Sequence, residues 1–148
     1  MARRTKARIS LLLPFLLSVA LAACSGGETT EVDVFEAEWR IDPAVIDLAP
    51  GKVKFVVANQ GSRPHELLVL KSDLPPNSLP MFDAKVDESK VKVVDRIKPF
   101  GAGETRELSL ELSSGKYLLV CNIVERPSGK PIESHYDEGM VAVLTALK

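Results

Sequence analysis

Apolar and polar residues alternate along most of the chain after residue 31, and short polar segments interrupt the alternation. The clearest runs are 52–59 and 104–112, in which Val, Phe or Leu recurs two residues apart. A period of two is typical of β-strands that bury one face. Shorter or weaker runs predict further strands at 32–39, 45–48, 65–70, 91–97, 117–123 and 140–146.

The segments between these runs contain Pro, Gly, Asn and Ser, which favour turns. Residues 73–80 include three prolines, which rule out a regular helix or strand there. Residues 82–91 have room for one or two helical turns, and residues 113–116 are expected to form a hairpin turn. Seven or eight short strands without a long helix predict an all-β fold, a two-sheet antiparallel Greek-key sandwich.

The alternation also predicts where the side chain of Cys121 points. Tyr117, Leu119 and Cys121 lie two residues apart, so they share one face of a strand. That face carries apolar residues and is expected to face the interior. Cys121 is therefore predicted at the buried end of a strand, close to the loops at one pole of the sandwich.

The first 23 residues have the pattern of a secretory signal. Four basic residues precede an apolar stretch that is too short to span a membrane comfortably, and small residues follow it. The sequence Leu-Ala-Ala-Cys at 21–24 resembles the bacterial lipobox. This resemblance implies that Cys24 is diacylated and becomes the mature N-terminus, and an ordinary signal peptide cleaved near Ala23 is the alternative.

The chain is thus predicted to comprise a signal peptide at 1–23, a flexible tether at 24–31 and one domain at 32–148. The signal holds four of the 19 basic residues and none of the 20 acidic ones, so the mature chain has 15 basic residues and a net charge of −5. This balance disfavours nucleic acid and fits a basic docking surface on a partner protein. The expected location is the bacterial cell envelope, outside the cytoplasm, with the lipid in the membrane.

The cysteine count leaves one thiol without a partner. If Cys24 carries lipid, Cys121 has no second cysteine, and it is then either a metal ligand or a buried inert thiol. The chain has only two histidines, His65 and His135, and Met140 follows the second. A thiolate, two imidazoles and a thioether are the donors of a copper site with a weak axial methionine. Taken singly, each of these residues has a simpler explanation: His65 as a loop histidine, His135 as a surface histidine and Met140 as a residue of the apolar core.

Two segments resemble the cupredoxin family, the small blue copper β-sandwiches. Segment 59–67 is similar to the family's loop that bears the first histidine ligand. Segment 115–140 is similar to its loop that bears the cysteine, the second histidine and the methionine. The resemblance implies one copper ion that cycles between Cu(I) and Cu(II), with four ligands: His65, Cys121, His135 and Met140.

The interval between Cys121 and His135 departs from the family pattern, in which the second histidine follows only a few residues after the cysteine. Here 13 residues intervene. Residues 128–131 favour a turn, so the insertion is expected to fold back as a loop of its own, and closing a longer loop costs only about 0.6 kcal/mol per doubling of its length. Nearby carboxylates are expected to form a solvated acidic rim, with a metal ligand or a docking patch as alternatives: Glu66, Glu125, Glu133, Asp137 and Glu138.

These observations favour a membrane-anchored copper protein that transfers single electrons between redox partner proteins. The alternative is a copper- or iron-handling module, or a metal-free binding domain, of a metal uptake or delivery system. An enzyme is disfavoured, because two histidines cannot supply the additional copper sites of copper oxidases. No oxyanion-hole motif accompanies Cys121 and His135, which also disfavours a cysteine nucleophile.

Overall fold

Residues 27–147 are described in this computed structural model of the chain, and they form thirteen short strands and one 3₁₀ turn, Glu88–Lys90. The strands are β1 (Thr30–Ala37), β2 (Arg40–Pro43), β3 (Asp47–Leu48), β4 (Gly51–Asn59), β5 (His65–Lys71), β6 (Met81–Phe82), β7 (Lys85–Val86), β8 (Lys92–Phe100), β9 (Thr105–Leu112), β10 (Gly115–Val120), β11 (Val124–Glu125), β12 (Glu133–Ser134) and β13 (Val141–Ala146).

Nine of the strands build two large sheets. One sheet has the strand order β2-β1-β4-β9, and the other has the order β3-β13-β10-β5-β8. The remaining four strands form two small hairpins, β6–β7 and β11–β12. The predicted all-β, two-sheet fold class is therefore confirmed.

Two details differ from a purely antiparallel sandwich. Strand β1 runs parallel to β4, and β3 runs parallel to β13. Residues 113–116 also do not close a hairpin, because β9 pairs with β4 whereas β10 pairs with β5 and β13. Leu112 and Tyr117 lie on either side of this connection and are buried in the same core. The chain therefore crosses here from one sheet to the other, so that both side chains face the interior.

The predicted helical turns in 82–91 are reduced to the single 3₁₀ turn. Residues Asp83 and Ala84 have positive φ angles of 53° and 63°, and they connect β6 to β7. Two consecutive left-handed residues are typical of a tight two-residue hairpin turn. The side chain of Asp87 accepts the N–H of Ser89 at 3.1 Å and caps the 3₁₀ turn that follows.

The main core lies between the two sheets. It includes Val34 and Phe55 from the first sheet and Leu119 and Leu144 from the second. Cys121 belongs to this core and is fully buried, as the alternation of residues predicted. Burying one Val, Leu or Phe side chain contributes about 1.5–3 kcal/mol to the free energy of unfolding, so this core is the main stabilising element.

A second apolar cluster covers the outer face of the β5–β10 pair. Leu68 and Val120 face outward from these strands and pack with Val86 and Tyr136. The hydroxyl of Tyr136 accepts the N–H of Leu79 at 3.0 Å and donates to the carbonyl of Pro76 at 2.7 Å. Strands β5 and β10 are therefore buried on both faces. The first contains the predicted ligand His65, and Cys121 directly follows the second.

No helix among residues 27–147 is long and apolar enough to cross a membrane. The predicted signal peptide at 1–23 and the lipid-bearing Cys24 lie outside the described residues, and both stay predictions.

Candidate metal centre

Three of the four predicted ligands come together at one pole of the sandwich. His65 opens β5, Cys121 directly follows β10, and His135 directly follows β12. One donor atom from each lies within 4.8 Å of the other two, and all three side chains are fully buried. The cluster joins residues 56 and 14 positions apart in sequence, so only the tertiary fold assembles it.

Both imidazoles turn the same ring nitrogen toward the sulfur. The Sγ atom of Cys121 lies 3.9 Å from Nδ1 of His65 and 3.3 Å from Nδ1 of His135. A metal ion bonded at about 2.0 Å to nitrogen and about 2.3 Å to sulfur separates such donors by roughly 3.3–4 Å, for bond angles of about 100–130° at the metal. The three side chains therefore fit one small metal ion that accepts soft sulfur and imidazole donors.

Hydrogen bonds within the preceding loop position His65. The side-chain oxygen of Asn59 accepts the N–H of Gly61 at 2.9 Å, and its amide nitrogen donates to the carbonyl of Arg63 at 2.8 Å. These contacts close residues 59–63 into a compact turn. The backbone therefore enters β5 with the His65 side chain directed inward.

Asn122 and the backbone fix Cys121 on the opposite side. The side chain of Asn122 accepts the N–H of Val86 at 2.7 Å and donates to its carbonyl at 3.1 Å. The N–H of Cys121 itself donates to the carbonyl of Met140 at 3.1 Å. The segment that follows β10 is thus hydrogen-bonded both to β7 and to Met140, just before β13.

The thiol of Cys121 is neutral without a metal. Burial raises its pKa to about 12, while the N–H of Glu66, 3.5 Å from the sulfur, acts in the opposite direction. Only the thiolate is a strong metal ligand. A bound cation must therefore displace the thiol proton, and the Glu66 N–H remains to stabilise the resulting negative charge on sulfur.

Both imidazoles are also neutral at physiological pH. Burial is the largest influence on each ring, and it lowers the pKa of His65 and of His135. The edge of Trp39 contacts the His135 ring, with 5.2 Å between ring centroids. Neutral imidazole is the form that binds metal ions, so no proton has to leave either ring before coordination.

Two carboxylates lie against the outer nitrogens of these rings. Oε1 of Glu125 is 3.3 Å from Nε2 of His135, and Oε1 of Glu38 is 3.6 Å from Nε2 of His65. Glu38 was missed by the sequence analysis, because it lies 27 residues before His65 and nothing in the local pattern marks it. In the sequence, Glu38 is simply an acidic residue that precedes Trp39 near the end of a predicted strand.

The expected solvated acidic rim is only partly correct. Glu66 is buried, and burial raises its pKa. Glu125 and Glu133 are half-buried and share an ion pair with Arg63, whose guanidinium lies 5.1 Å from the centre of the Trp39 ring. These residues form a cover over His135, because the insertion folds back across the cluster.

The insertion itself folds as predicted, as a loop of its own. Its ends pair as the antiparallel hairpin β11–β12, and the N–H of Lys130 donates to the carbonyl of Pro127 at 3.2 Å across the turn. The N–H of His135 donates to the carbonyl of Ile123 at 3.0 Å and closes the base of the hairpin. His135 therefore returns next to Cys121 despite the long interval.

Met140 follows His135 by five residues and is fully buried in the main core. Its N–H donates to the carbonyl of His135 at 2.9 Å, and its own carbonyl accepts the N–H of Cys121. The backbone thus ties Met140 to two members of the cluster. The thioether as an axial ligand stays a prediction.

A further carboxyl group, Glu36, is fully buried at the end of β1 that leads to this pole. Neither of its oxygens has a hydrogen-bond partner among residues 27–147, and burial, helped by repulsion from Glu66, raises its pKa from 4.5 to about 8. Glu36 was not among the residues predicted from the sequence. A signal was present, since it continues the inward alternation of Val32 and Val34.

Gly61 is expected to tolerate no side chain, because a Cβ atom there would meet the two Glu38 oxygens at 2.7 and 2.8 Å and Nε2 of His65 at 2.9 Å. Gly61→Ala should push the Glu38 carboxylate away from the N–H groups of Ser62 and Arg63 that it accepts. We expect a loss of about 1–3 kcal/mol in the free energy of unfolding, measured by urea denaturation.

The control for this substitution is Gly101→Ala. A Cβ atom at Gly101 would make only ordinary contacts, at 3.7 Å from Glu104. Equal destabilisation by the two variants would contradict the steric argument.

Comparison with solved structures shows the fold. The chain aligns with auracyanin from Roseiflexus castenholzii at a TM-score of 0.58 and 17% identity, over 82% of this chain and 100% of that one. It aligns with rusticyanin from Thiobacillus ferrooxidans at a TM-score of 0.58 and 16% identity, over 82% and 79% of the two chains. Auracyanin A, a blue copper protein of Chloroflexus aurantiacus, gives a TM-score of 0.55 and 14% identity, over 81% and 100%. Neither a protein-family model nor a curated protein matches the sequence.

Proposed function

We propose that this chain, which has the cupredoxin fold, is a mononuclear copper protein that transfers single electrons between partner proteins. The observation that carries the proposal is the buried cluster of His65, Cys121 and His135, with one donor from each within 4.8 Å of the others. Likeness to the blue copper protein auracyanin A supports copper as the metal.

The chemistry of the donors supports a redox role for copper. Thiolate sulfur suits Cu(I), and imidazole suits both oxidation states. Copper in such a site would accept one electron from a donor and pass it to an acceptor. The chain's contribution is to hold the donors in one arrangement, through the buried strands β5 and β10, while the charge of the ion changes.

Burial of the cluster favours a retained metal over one that is handed on. His65, Cys121 and His135 are all fully buried, and the hairpin β11–β12 covers His135. Release of an ion would require this cover to open. An electron, in contrast, needs no opening, so the structure suits electron transfer better than metal delivery.

Titration of the purified protein with Cu(II), followed by optical and EPR spectroscopy, tests the proposal. We expect one equivalent of copper to bind, with an intense visible thiolate-to-copper band and a small copper hyperfine splitting. A tetragonal copper spectrum with rapid exchange of the ion would favour metal handling. Absence of stoichiometric binding would overturn the proposal.

The location and the partners are part of the same proposal. Cys24 would carry the lipid that attaches the protein to the bacterial envelope outside the cytoplasm, which the lipobox-like sequence at 21–24 supports. The mature chain carries a net charge of −5, and this supports redox partners with a basic docking surface. The mass of the mature N-terminal peptide tests the lipid.

A further inference from the structure

The long interval between Cys121 and His135 brings a carboxylate to the metal cluster. Strand β11 of the inserted hairpin places Glu125 with its Oε1 atom 3.3 Å from Nε2 of His135. On the other side of the cluster, Oε1 of Glu38 approaches Nε2 of His65 at 3.6 Å, which is longer than a hydrogen bond, and Nε2 of His65 has no hydrogen-bond partner among the described residues. Each imidazole therefore lies between the sulfur of Cys121 and a carboxylate, with Nδ1 inward and Nε2 outward.

These contacts decide which nitrogen of each ring carries the proton. A neutral imidazole has one N–H, and its other nitrogen is an acceptor. A proton on Nδ1 would leave the Nε2 lone pair facing carboxylate oxygens, which are also acceptors. A proton on Nε2 gives Glu125 a hydrogen-bond donor and places an N–H dipole opposite Glu38. It also leaves Nδ1 of His135 free to accept the thiol proton of Cys121 at 3.3 Å.

Both carboxylates are themselves held in place. Glu38 accepts the N–H of Arg63 at 2.8 Å and the N–H of Ser62 at 2.9 Å. Glu125 pairs with the guanidinium of Arg63 at 3.3 Å, and the guanidinium also binds Glu133. Arg63 thus supports one carboxylate through its backbone and the other through its side chain, and neither carboxylate depends on a bound metal for its position.

We propose that Glu38 and Glu125 are positioning residues for the two ligand imidazoles. Glu125 accepts the Nε2–H of His135, Glu38 attracts the Nε2–H of His65 electrostatically from 3.6 Å, and each thereby directs the Nδ1 lone pair of its imidazole to the metal. The inserted hairpin then has a function, because it carries Glu125 to His135. The inference rests on the proposed function. Two nearby negative charges stabilise Cu(II) more than Cu(I), so the pair also lowers the tendency of the copper to accept an electron.

The first test uses the metal-free protein. Long-range ¹H–¹⁵N NMR correlations of the two imidazoles are expected to show a protonated Nε2 and an unprotonated Nδ1 in both rings. A proton on Nδ1 of His135 would overturn the proposal. This measurement needs no copper, so it decides the positioning role even if copper binding, and with it the proposed function, fails.

The second test is the affinity for Cu(II). Glu125→Gln and Glu38→Gln remove one charge each at nearly constant shape, and each is expected to weaken Cu(II) binding about 10–100-fold. We expect a smaller loss for Cu(I). Each tenfold difference between the two losses raises the one-electron potential by about 59 mV.

The matched control is Glu133→Gln. Glu133 shares the ion pair with Arg63 but has no contact with either imidazole. We expect its Cu(II) affinity to stay within about threefold of the wild type, well below the loss that an imidazole partner causes. Equal losses for Glu133→Gln and Glu125→Gln would show that the hairpin acts only through its ion pairs. Circular dichroism of every variant excludes misfolding as the cause.

Discussion

Replacement of Cys121 by serine is expected to abolish the intense visible band that the proposed copper site should show. The band requires a thiolate bound to copper, and a serine hydroxyl is neither soft nor easily deprotonated. Cu(II) affinity should fall by more than the roughly 10–100-fold that loss of an outer-sphere partner costs. His65 and His135 remain, so residual binding should give a tetragonal EPR spectrum.

The fold should survive this substitution. Serine is close in size to cysteine, and its hydroxyl can accept the N–H of Glu66 and donate to Nδ1 of His135, the two groups that now face the sulfur. We expect a change of about 1 kcal/mol in the free energy of unfolding of the metal-free protein. Met140→Leu is the comparison, because the axial bond predicted for Met140 would be long and weak and would contribute little to the band. Persistence of the band in Cys121→Ser would contradict Cys121 as the ligand.

The position of Cys121 was predictable because it depends on a local rule. Side chains alternate along a strand, and Tyr117 and Leu119 mark the inward face four and two residues before Cys121. The pairing of His65 and His135 with this thiol came from resemblance to a family and from the absence of other histidines. The structure brings all three together.

The carboxylates around the cluster were not predictable from local patterns. Glu38 reaches His65 because β1 runs parallel to β4 and ends beside the loop at 59–63, a pairing that no short segment specifies. Glu125 was identified in the sequence but was expected to be solvated. It lies half-buried, because the hairpin folds over His135 rather than away from it. Contacts of this kind depend on tertiary packing.

Glu36 is expected to make the free energy of unfolding fall as pH rises from about 4.5 to about 8. Burial raises the pKa of this carboxyl from 4.5 to about 8, so in this range the folded chain keeps a proton that the unfolded chain has lost. Stability decreases with pH wherever the folded state binds more protons. The contribution of Glu36 is thus fully present below pH 4.5 and is lost by pH 8.

Glu36→Gln removes this titration and is expected to flatten the profile of stability against pH. A pKa difference between 4.5 and about 8 corresponds to about 5 kcal/mol as an order of magnitude, so the variant should exceed the wild type by several kcal/mol at pH 8.5 and match it near pH 4.5. Urea denaturation of both metal-free proteins across this range measures the difference. Asp33→Asn, which removes a carboxyl at an exposed position of the same strand, is the matched control.

Parallel profiles for the wild type and Glu36→Gln would contradict this prediction and would mean that the carboxyl finds a partner or water in solution. Stability profiles of the wild type and the variant that converge at low pH would show that the folded chain keeps the Glu36 carboxyl neutral between its sheets. Within the described part of the chain, neither oxygen of Glu36 has a hydrogen-bond partner, and the nearby Glu66 carboxyl adds repulsion when both ionise. A buried Glu36 carboxylate would therefore destabilise the folded state, and protonation of the carboxyl, rather than an ion pair, removes this cost.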